Sequence, residues 1–580
     1  MASAKKFKHI FSDKSQNIRD STIKRLKQFD NIRGKHVDIP FWDIIVITAS
    51  DAAQKKAFEI QLEAKLKRKE LPLGPIYHVF SDPPGPKVGN GGSTMICIDE
   101  LLRIHGEEKL SECKIMLAHA GGYSQRMPNA SVLGKVFTAL PWGDPPYQML
   151  EMLMAMFIDF PVNMIPGVLL VCPDTLELFN TGIQTCCFTK PGFTALAHPS
   201  PIEIGTTHGV FVFKDKHNEN VMCQTTCSKF LHKQSTQVMR QHGLVFQQDD
   251  QDHVYTDSIF FIDMTAAKKL QQLYSKITLD CEICAYGDFL QALGPEATEE
   301  YTENVANVSK VESSLVKTRK MIFDYLKGTA LNVLVLNESR FYHLGTTAEF
   351  IHHLCVDPIF RYETSASAEV FVSRSGNPTH PTPESSILMH CHVTEPLTIG
   401  TQTVVEYCNI ESGSSIGGNC IVSNVCLPDG VSIMDRTFLM TVCVELGSRA
   451  GLFVTVGYGV DDNMKKQVKS ANDLDSLKYF GKPLGQVFSH LGIDQSDWDM
   501  VTLWHARLFP VFTDQRSSVL HTLEMIQSLR EGKEFSPPVA VLEHRHTDIR
   551  LSMADILVNK DVQGTLDLRE ILREKIIASI

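Results

Sequence analysis

The chain has 580 residues, of which 43% are hydrophobic and 21% are charged, the composition of a globular protein with two or three domains. Its formal net charge of −11 argues against a general nucleic-acid binder, because such proteins usually carry a strong basic excess. No stretch approaches the ~18 uncharged apolar residues of a membrane helix, so we expect neither a nucleic-acid nor a membrane partner.

The first two thirds of the chain alternate between strand and helix patterns. Apolar residues recur at every third position between residues 17 and 34, which predicts a helix in an N-terminal segment covering residues 1–40. A second region, residues 41–380, contains predicted strands at 42–50, 76–83, 114–122, 167–174, 208–213, 258–263 and 330–347. The alternation predicts an α/β domain with a mainly parallel sheet, in which ligands bind beyond the carboxyl ends of the strands.

The texture changes beyond a Pro- and Ser-rich segment at 376–386, which is typical of a linker. Four aliphatic residues then fall at intervals of six, namely Val404, Ile410, Ile416 and Val422. This period predicts a parallel β-helix, although an antiparallel sheet would also be rich in β-branched residues. Helical patterns return at 516–531 and 561–579. We therefore predict a β-helix-like domain with terminal helices over residues 381–580. Ile410, Ile416 and Val422 are expected to form successive rungs of one core, and residues 397–460 are expected to serve packing.

The 15 cysteines are scattered and often lie inside apolar runs, as buried free thiols do. Cys281 and Cys284 have the spacing of a zinc knuckle, but no second pair follows at a suitable distance. Free thiols in a reducing compartment are the simpler interpretation. Since the N-terminus also lacks the apolar core of a signal peptide, we expect a cytoplasmic location.

The richest motif is AHAGGYSQRMPNASVLGK, at residues 118–135. A predicted buried strand leads into Gly121 and Gly122, and the cations Arg126 and Lys135 follow. Glycines let the backbone approach phosphates and expose N–H groups to them. An Arg fork and a Lys point charge can then hold a triphosphate. A surface loop with incidental cations is the alternative, but this order of residues favours a nucleotide site.

A second glycine-rich turn, VGNGGST at residues 88–94, opens a predicted helix. It lacks the third glycine of a dinucleotide-binding turn and the Gly-Lys-Ser/Thr of a P-loop. We predict that Gly89, Gly91 and Gly92 form a backbone nest for a phosphate or a base, the alternative being a structural tight turn.

Asp174 follows the apolar run LLVC at the end of a predicted strand. A carboxylate at this position can hold Mg²⁺ together with phosphate oxygens. The same side chain would alternatively cap a helix over residues 175–179.

The loop at 118–135 resembles the signature loop of sugar-nucleotide pyrophosphorylases, in which Gly-Gly is followed by Arg and then, some nine residues on, by Lys. Longer segments resemble the fucose-1-phosphate guanylyltransferases of vertebrates through nearly the whole chain; they include FWDIIVITASD, HVFSDPPGPKVGNGGST, HAGGYSQRMPNASVLGKVFTALP, PGFTALAHPS, IGTTHGVFV, YTDSIFFID, AYGDFLQALGP and FYHLGTT. The resemblance implies a Rossmann-like nucleotidyltransferase domain over residues 41–380. It also implies that GTP and β-L-fucose 1-phosphate give GDP-L-fucose and pyrophosphate in cytosolic fucose salvage. No obligate protein partner is evident.

The resemblance further implies roles for individual residues in a substitution at the α-phosphorus of GTP. Arg126 is expected to hold the β- and γ-phosphates, and Lys135 to neutralise the α-phosphate. Mg²⁺ is the expected cofactor. The pyrophosphorylase segment W-x-D-x-G-T has an Asp as second metal ligand, but His343 stands at that position here. Imidazole is a poor Mg²⁺ ligand, so Asp257 is the candidate replacement beside Asp174.

The candidate sugar-phosphate residues lie in polar segments. His198 and His208 stand among hydroxyls in TALAHPSPIEIGTTHG, Lys233 lies in FLHKQS, and Glu282 and Asp288 lie in CEICAYGDFL. The alternatives are satisfied core histidines, a solvated lysine and acids on a helix surface.

Two other functions compete with the enzyme. A non-catalytic regulatory or exchange-factor subunit would be expected to lose the loop cations, which are present. An acyltransferase built on the six-residue repeat would need many more coils and a catalytic histidine inside them, whereas His390 and His392 precede the repeat.

Overall fold

A computed structural model describes residues 11–213, 220–248, 250–376, 380–494 and 502–579. Residues 377–379 of the predicted linker and the first ten residues of the predicted N-terminal segment lie outside these ranges. Contacts divide the chain into two compact units. The first contains residues 1–122 and 151–342, and the second contains residues 123–150 and 343–580. The sequence analysis, in contrast, groups residues 123–150 and 343–380 with the nucleotidyltransferase domain.

The helices, in chain order, are α1 (Asp13–Ile32), α2 (Ala52–Lys67), α3 (Gly89–His105), α4 (Glu107–Leu110), α5 (Pro128–Leu133), α6 (Met149–Met156), α7 (Ile202–Gly205), α8 (Thr236–Gln241), α9 (Met264–Tyr274), α10 (Leu315–Leu326), α11 (Thr347–Ile351), α12 (Pro358–Thr364), α13 (Leu484–Leu491), α14 (Gln515–Glu531), α15 (Val539–Leu542), α16 (Met553–Asn559) and α17 (Val562–Ser579). The helices predicted near the N-terminus and at 516–531 and 561–579 are therefore present as α1, α14 and α17.

The strands are β1 (Ile44–Ala49), β2 (Ile76–Ser81), β3 (Lys114–Ala118), β4 (Gly167–Val171), β5 (Thr175–Phe179), β6 (Phe193–Pro201), β7 (Gly209–Phe213), β8 (Met222–His232), β9 (Phe246–Gln248), β10 (Gln251–Asp263), β11 (Leu331–Leu336), β12 (Ser339–His343), β13 (Glu369–Ser375), β14 (Ile387–Thr394), β15 (Leu397–Ile399), β16 (Val404–Glu406), β17 (Asn409–Ile410), β18 (Ser414–Ile416), β19 (Ile421–Ser423), β20 (Cys426–Leu427), β21 (Ser432–Ile433), β22 (Thr437–Leu446), β23 (Arg449–Gly459), β24 (Lys478–Tyr479), β25 (Lys482–Pro483), β26 (Phe509–Phe512) and β27 (Arg545–Leu551).

The sheet of the first unit begins as the sequence predicts. Strands β2, β1, β3 and β4 lie side by side and are parallel. The chain between them forms helices, and β1, β4 and most of β3 are buried. Apolar runs of this kind are typical of strands that are covered on both faces. Because the four strands point the same way, the segments that follow them lie at one edge of the sheet.

The other half of this sheet is mixed. Strand β10 is antiparallel to β4 and β6, and β8 is antiparallel to β7 and β11, while β6 and β11 are parallel. The prediction of a mainly parallel sheet is therefore wrong for this half. The connection from β7 to β8 is shorter than the dozen or so residues that a parallel crossover needs, so these two strands pair as neighbours in opposite directions.

The second unit contains ladders of short parallel strands. Strands β14, β16, β19 and β22 form one ladder, and β15, β18 and β21 form another. Paired residues are 17 positions apart in sequence, as for Ser415 and Ser432. Ile410, Ile416 and Val422 lie in one buried core, as predicted. They lie on β17, β18 and β19, which are successive in sequence but belong to different ladders. Residues six apart therefore lie on successive faces of one turn, and not on successive rungs of one face.

Candidate functional site

In the first unit, the Gly121–Gly122 turn follows β3 closely. The Gly121 N–H donates to Thr48 Oγ1 at 3.2 Å, and a Cβ on Gly121 would lie 3.2 Å from Ser50 N. Gly122 has a φ of +94°, and its carbonyl accepts a hydrogen bond from the Gln54 amide at 3.1 Å. Close packing and a left-handed backbone thus require both glycines, whatever ligand the turn binds.

The glycines of the 88–94 turn pack on the segment around Ile283. A Cβ on Gly89 would lie 2.3 Å from the Ile283 carbonyl oxygen, and a Cβ on Gly91 would lie 2.8 Å from Ile283 Cγ2. The Gly91 N–H donates to that same carbonyl at 2.9 Å. A Cβ on Gly92 would lie 2.7 Å from Val88 Cβ. The predicted phosphate nest cannot include the Gly91 N–H, because the protein already occupies that donor.

In the second unit, the turn that carries Arg126 meets the 343–350 segment. The Arg126 carbonyl accepts hydrogen bonds from the Thr347 N–H and from Thr347 Oγ1, both at 2.9 Å. The Arg126 side chain is exposed. His343 Nδ1 lies 3.0 Å from the Glu349 carboxylate, which Thr346 also contacts at 2.9 Å. Two motifs that are more than 200 residues apart in sequence are therefore neighbours.

His343 and Arg126 both act on Glu349. The hydrogen bond from His343 and the charge of the nearby Arg126 hold the pKa of this carboxyl below its usual range, against the opposing effect of burial. The carboxylate next to the unusual His343 is therefore ionised, and it is a residue that the sequence analysis did not identify.

The remainder of the signature loop is held by distant parts of the second unit. Lys560 Nζ donates to the Val132 carbonyl at 2.8 Å, and Asn129 Nδ2 donates to Glu406 Oε1 at 3.2 Å. Lys135 is half-buried at the start of a short 3₁₀ turn. Two distant residues of the second unit, Glu406 and Lys560, therefore contact the signature loop directly.

Asp257, His208 and Lys233 form one polar group in the first unit. Asp257 is 6% exposed and accepts the Gly209 N–H at 2.7 Å. Burial raises its pKa, while the electrostatic effects of His208, the Gly209 N–H and Lys233 oppose that shift. The Lys233 N–H donates to the His208 carbonyl at 2.9 Å, which brings the two residues together. The structure thus unites three of the predicted ligand residues.

Asp174 follows β4, at the edge of the sheet where β10 carries Asp257. Phe260 of β10 pairs with Leu170 of β4, and the two strands are antiparallel. Asp257, three residues before Phe260, therefore lies beyond the carboxyl end of β4, which is also where Asp174 lies in sequence. Residues 175–179 form strand β5, so the alternative in which Asp174 caps a helix there is wrong. Two carboxylates at this edge offer the hard oxygen donors that Mg²⁺ prefers, and the donor set fits that ion.

Three of the predicted sugar ligands are engaged elsewhere. His198 is 1% exposed, and its ring nitrogens contact Ser339 and Ser258 at 2.8 Å and Glu177 at 3.1 Å. It is a satisfied core histidine. Glu282 accepts two hydrogen bonds from Ser309 at 2.8 and 2.5 Å, which anchor a loop.

Asp288 is also engaged within the protein. It is 2% exposed, accepts the Cys284 N–H at 2.7 Å and lies 2.9 Å from Arg319. Burial raises its pKa to about 6, although Arg319 opposes the shift. Asp288 and Arg319 line a cavity of about 300 Å³. The interpretation of Asp288 as an acid on a helix surface is wrong, and its carboxylate is already occupied as an acceptor.

Asp174 was predicted as a ligand because it follows a strand, and a second carboxylate in the same position was not predicted. Asp82 directly follows β2, at the same edge as the glycine turn, and accepts the Ser93 hydroxyl at 2.5 Å. Burial and the nearby Asp51 raise its pKa. Glu406 and Lys560 had no comparable indication, because the loop residues that they contact are distant in sequence.

All 15 cysteines are free thiols. Within the described residues, the cluster able to offer three metal ligands consists of His352, His353 and Asp357, and it does not include Cys281 or Cys284. Among the helices that the structure describes, none combines the length and apolar character needed to cross a bilayer.

Comparisons with known proteins place the chain among enzymes of nucleotide-sugar formation. The profile of the fucose pyrophosphorylase domain matches residues 107–514. The chain is 42% identical to human fucose-1-phosphate guanylyltransferase, with 96% of this chain and 94% of the human protein covered. It is 41% identical to the mouse protein of the same name, with 96% and 97% covered. A UTP-bound UGPase of Acinetobacter baumannii has 9% identity and a TM-score of 0.26, covering 58% of this chain and 83% of its own.

Proposed function

Because the chain belongs to the fucose pyrophosphorylase family, we propose that it forms GDP-L-fucose and pyrophosphate from GTP and β-L-fucose 1-phosphate, in the salvage of free fucose. The carrying observation is the match, over 96% of the chain, to two proteins named for this transfer. The chain is thus a nucleotidyltransferase, and neither a regulatory subunit nor an acyltransferase has support from its relatives.

The reaction needs alignment and charge neutralisation more than a base. A phosphate oxygen of the sugar phosphate attacks the α-phosphorus of GTP, and the bond from that phosphorus to the bridging β-oxygen breaks as pyrophosphate leaves. The attacking oxygen is already anionic. The Arg126 carbonyl is held by two hydrogen bonds from Thr347, and the exposed Arg126 side chain binds the leaving phosphates. Lys135 neutralises the α-phosphate.

The sugar phosphate is assigned to the group around Asp257. Lys233 is exposed, and its charge suits a phosphate. His208 Nδ1 is 3.1 Å from the Ile204 carbonyl, which leaves Nε2 for a sugar hydroxyl or a phosphate oxygen. His198, Glu282 and Asp288 have no place in this proposal.

Asp174 and Asp257 would hold Mg²⁺, which when bound would offset the negative charge of the substrate phosphates. Asp174→Asn should raise the Mg²⁺ concentration needed for half-activity and weaken Mg²⁺ binding in calorimetry with the GTP complex. His343→Asp should have the opposite tendency if residue 343 faces the ion. Unchanged titrations in both variants would place the ion elsewhere.

Two further features belong to this proposal. The common 17-residue offset of the parallel ladders supports a β-helix over residues 387–440. The free thiols support work in a reducing, cytoplasmic compartment. GTP and the sugar phosphate are the proposed partners.

The testing experiment measures pyrophosphate release by the purified chain, with each nucleoside triphosphate against a panel of sugar 1-phosphates. GTP with β-L-fucose 1-phosphate should give the highest kcat/KM and a product with the mass of GDP-fucose. Lys135→Ala is the matched control for contaminating activity. A different preferred pair would refute the assignment of substrates, and no release with any pair would refute the function.

A further inference from the structure

The buried contact between Asn129 and Glu406 leaves two oxygen atoms without a partner. Asn129 lies in α5, three residues after Arg126, and Glu406 ends β16. Their side chains meet at 3.2 Å, with Asn129 Nδ2 donating to Glu406 Oε1. Among the described residues, Asn129 Oδ1 and Glu406 Oε2 have no hydrogen-bond partner, and both are buried. One of these acceptor oxygens is on the amide and the other is on the carboxyl group of the same pair. Burying both without a hydrogen-bond donor costs free energy of folding.

A single proton on the carboxyl group would satisfy both atoms. We propose that Glu406 is a neutral carboxylic acid in the folded protein and that its Oε2–H donates to Asn129 Oδ1, so that the acid and the amide form a paired clamp on the signature loop. Oε1 then accepts from Asn129 Nδ2 and from Ser423 Oγ, which lies 2.6 Å away. Every polar atom of the two groups is used.

The surroundings of Glu406 favour the neutral form. Glu406 is 3% exposed, and burial raises its pKa; the Ser423 hydroxyl, Arg569 and the Asn129 amide oppose the shift. Among the described residues, the Cys391 and Cys408 thiols also interact with Glu406; burial holds their own pKa values high, so both are neutral.

Arg569 is a cation that acts on Glu406, and it has other partners. Its Nε donates to Asn424 Oδ1 at 2.7 Å, and its guanidinium lies 3.4 Å from the centroid of the Tyr407 ring. An ionised Glu406 would therefore leave one buried oxygen unbonded beside an arginine that is bonded to an amide.

The clamp makes Glu406 a positioning residue for the reaction. α5 lies between Arg126 and Lys135, and its Asn129 is fixed by an acid on a strand of the second unit. The effect on activity rests on the proposed function, whereas the protonation of Glu406 does not.

Glu406→Gln is the decisive variant, because glutamine has the shape of the neutral acid and keeps both hydrogen bonds. It should retain kcat within about twofold of wild type at neutral pH. Glu406→Ala should lower kcat/KM by ~10-fold or more, since both bonds to Asn129 are lost. Ser423→Ala, which removes the hydrogen bond that Ser423 donates to Oε1 and keeps both bonds to Asn129, is the control and should leave kcat/KM of the folded protein nearly unchanged.

The melting temperature gives a readout that does not depend on activity. The folded-state pKa of Glu406 is raised, so its contribution to stability is complete at acid pH and is lost as the pH rises through that value. Glu406→Gln cannot ionise and should match wild type at acid pH and exceed it in alkali. An infrared difference spectrum between the two proteins at neutral pH should show the carbonyl band of a protonated acid in wild type alone.

Absence of that band, or a Glu406→Gln protein that melts below wild type at all pH values, would show that Glu406 is ionised and would overturn the clamp. A loss of kcat/KM in Ser423→Ala equal to that in Glu406→Ala would overturn the positioning role. If wild type formed no GDP-fucose, the proposed function would fall, while the spectrum and the melting curves would still decide the state of Glu406.

Discussion

Lys560 ties the C-terminal part of the chain to the signature loop, and Lys560→Met should loosen that loop without unfolding the protein. Lys560 Nζ donates to the Val132 carbonyl at 2.8 Å and lies 5.8 Å from the centroid of the Tyr123 ring. A hydrogen bond from a charged donor contributes ~1.5–3 kcal/mol, and a cation near an aromatic ring adds ~0.5–1 kcal/mol at such half-exposed sites. Methionine keeps the aliphatic length of the side chain and removes both interactions.

We take the lost stabilisation of the loop as ~2 kcal/mol. If all of it is lost from the stabilisation of the transition state, kcat/KM should fall ~30-fold, since ~1.4 kcal/mol corresponds to tenfold. Partial expression of that energy gives a fall of ~10-fold. The assay is steady-state pyrophosphate release with GTP and β-L-fucose 1-phosphate, together with a thermal melt to show that the variant is folded.

Lys575→Met is the matched control. Lys575 lies on α17, and its Nζ also donates to a single oxygen, Asn409 Oδ1 at 2.7 Å, which is outside the 123–150 segment. It should keep wild-type kcat/KM within about twofold. Full activity of Lys560→Met, or an equal loss in Lys575→Met, would refute the idea that Lys560 acts through the loop.

Other substitutions separate catalysis from packing. Lys135→Ala should lower kcat by ~10²-fold or more with the fold intact, and a variant that keeps more than a third of wild-type kcat would remove Lys135 from the mechanism. Arg126→Lys should lower activity nearly as much as Arg126→Ala, because the point charge of lysine cannot replace the planar guanidinium group. Full activity of Arg126→Lys would show that only the charge of Arg126 matters. His198→Ala should lower the free energy of unfolding by ~2–4 kcal/mol in urea titrations and leave KM unchanged, whereas His208→Ala should raise KM for the sugar phosphate; the reverse pattern would exchange their roles. Ile416 is 2% exposed in the core of the second unit, so Ile416→Asp should unfold that unit in circular dichroism while Ile416→Val costs ~1 kcal/mol, and a folded Asp variant would contradict the shared core.

The sequence was sufficient to predict elements whose burial is local. The parallel strands of the first unit are continuous apolar runs, so β1, β3 and β4 are recognisable without their partners. The directions of β7 and β10 were missed and β8 was not predicted as a strand, because the choice of pairing partner and its direction leave no pattern within a single strand. The six-residue interval located the aliphatic positions of the second unit, but the 17-residue offset emerges only from the pairings themselves.

The candidate site follows the same division. Motif chemistry predicted Arg126, Lys135 and the glycine turns as site residues, since those residue types lie close together in sequence. It predicted the core histidine His198 as a ligand, because a histidine beside hydroxyl residues gives the same sequence pattern in a ligand pocket and in a buried hydrogen-bond network. Glu406 could not be found, because nothing near it in sequence indicates that it holds the loop.

The most direct test follows the α-phosphate of GTP. In parallel reactions with β-L-fucose 1-phosphate, GTP carries radioactive phosphorus either at the α- or at the γ-position, and the products are separated by chromatography. Attack at the α-phosphorus predicts that the α-label enters the nucleotide sugar and the γ-label leaves in pyrophosphate, in wild type and far more slowly in Lys135→Ala. Release of the γ-label as inorganic phosphate, with no α-label joined to the sugar, would contradict guanylyl transfer.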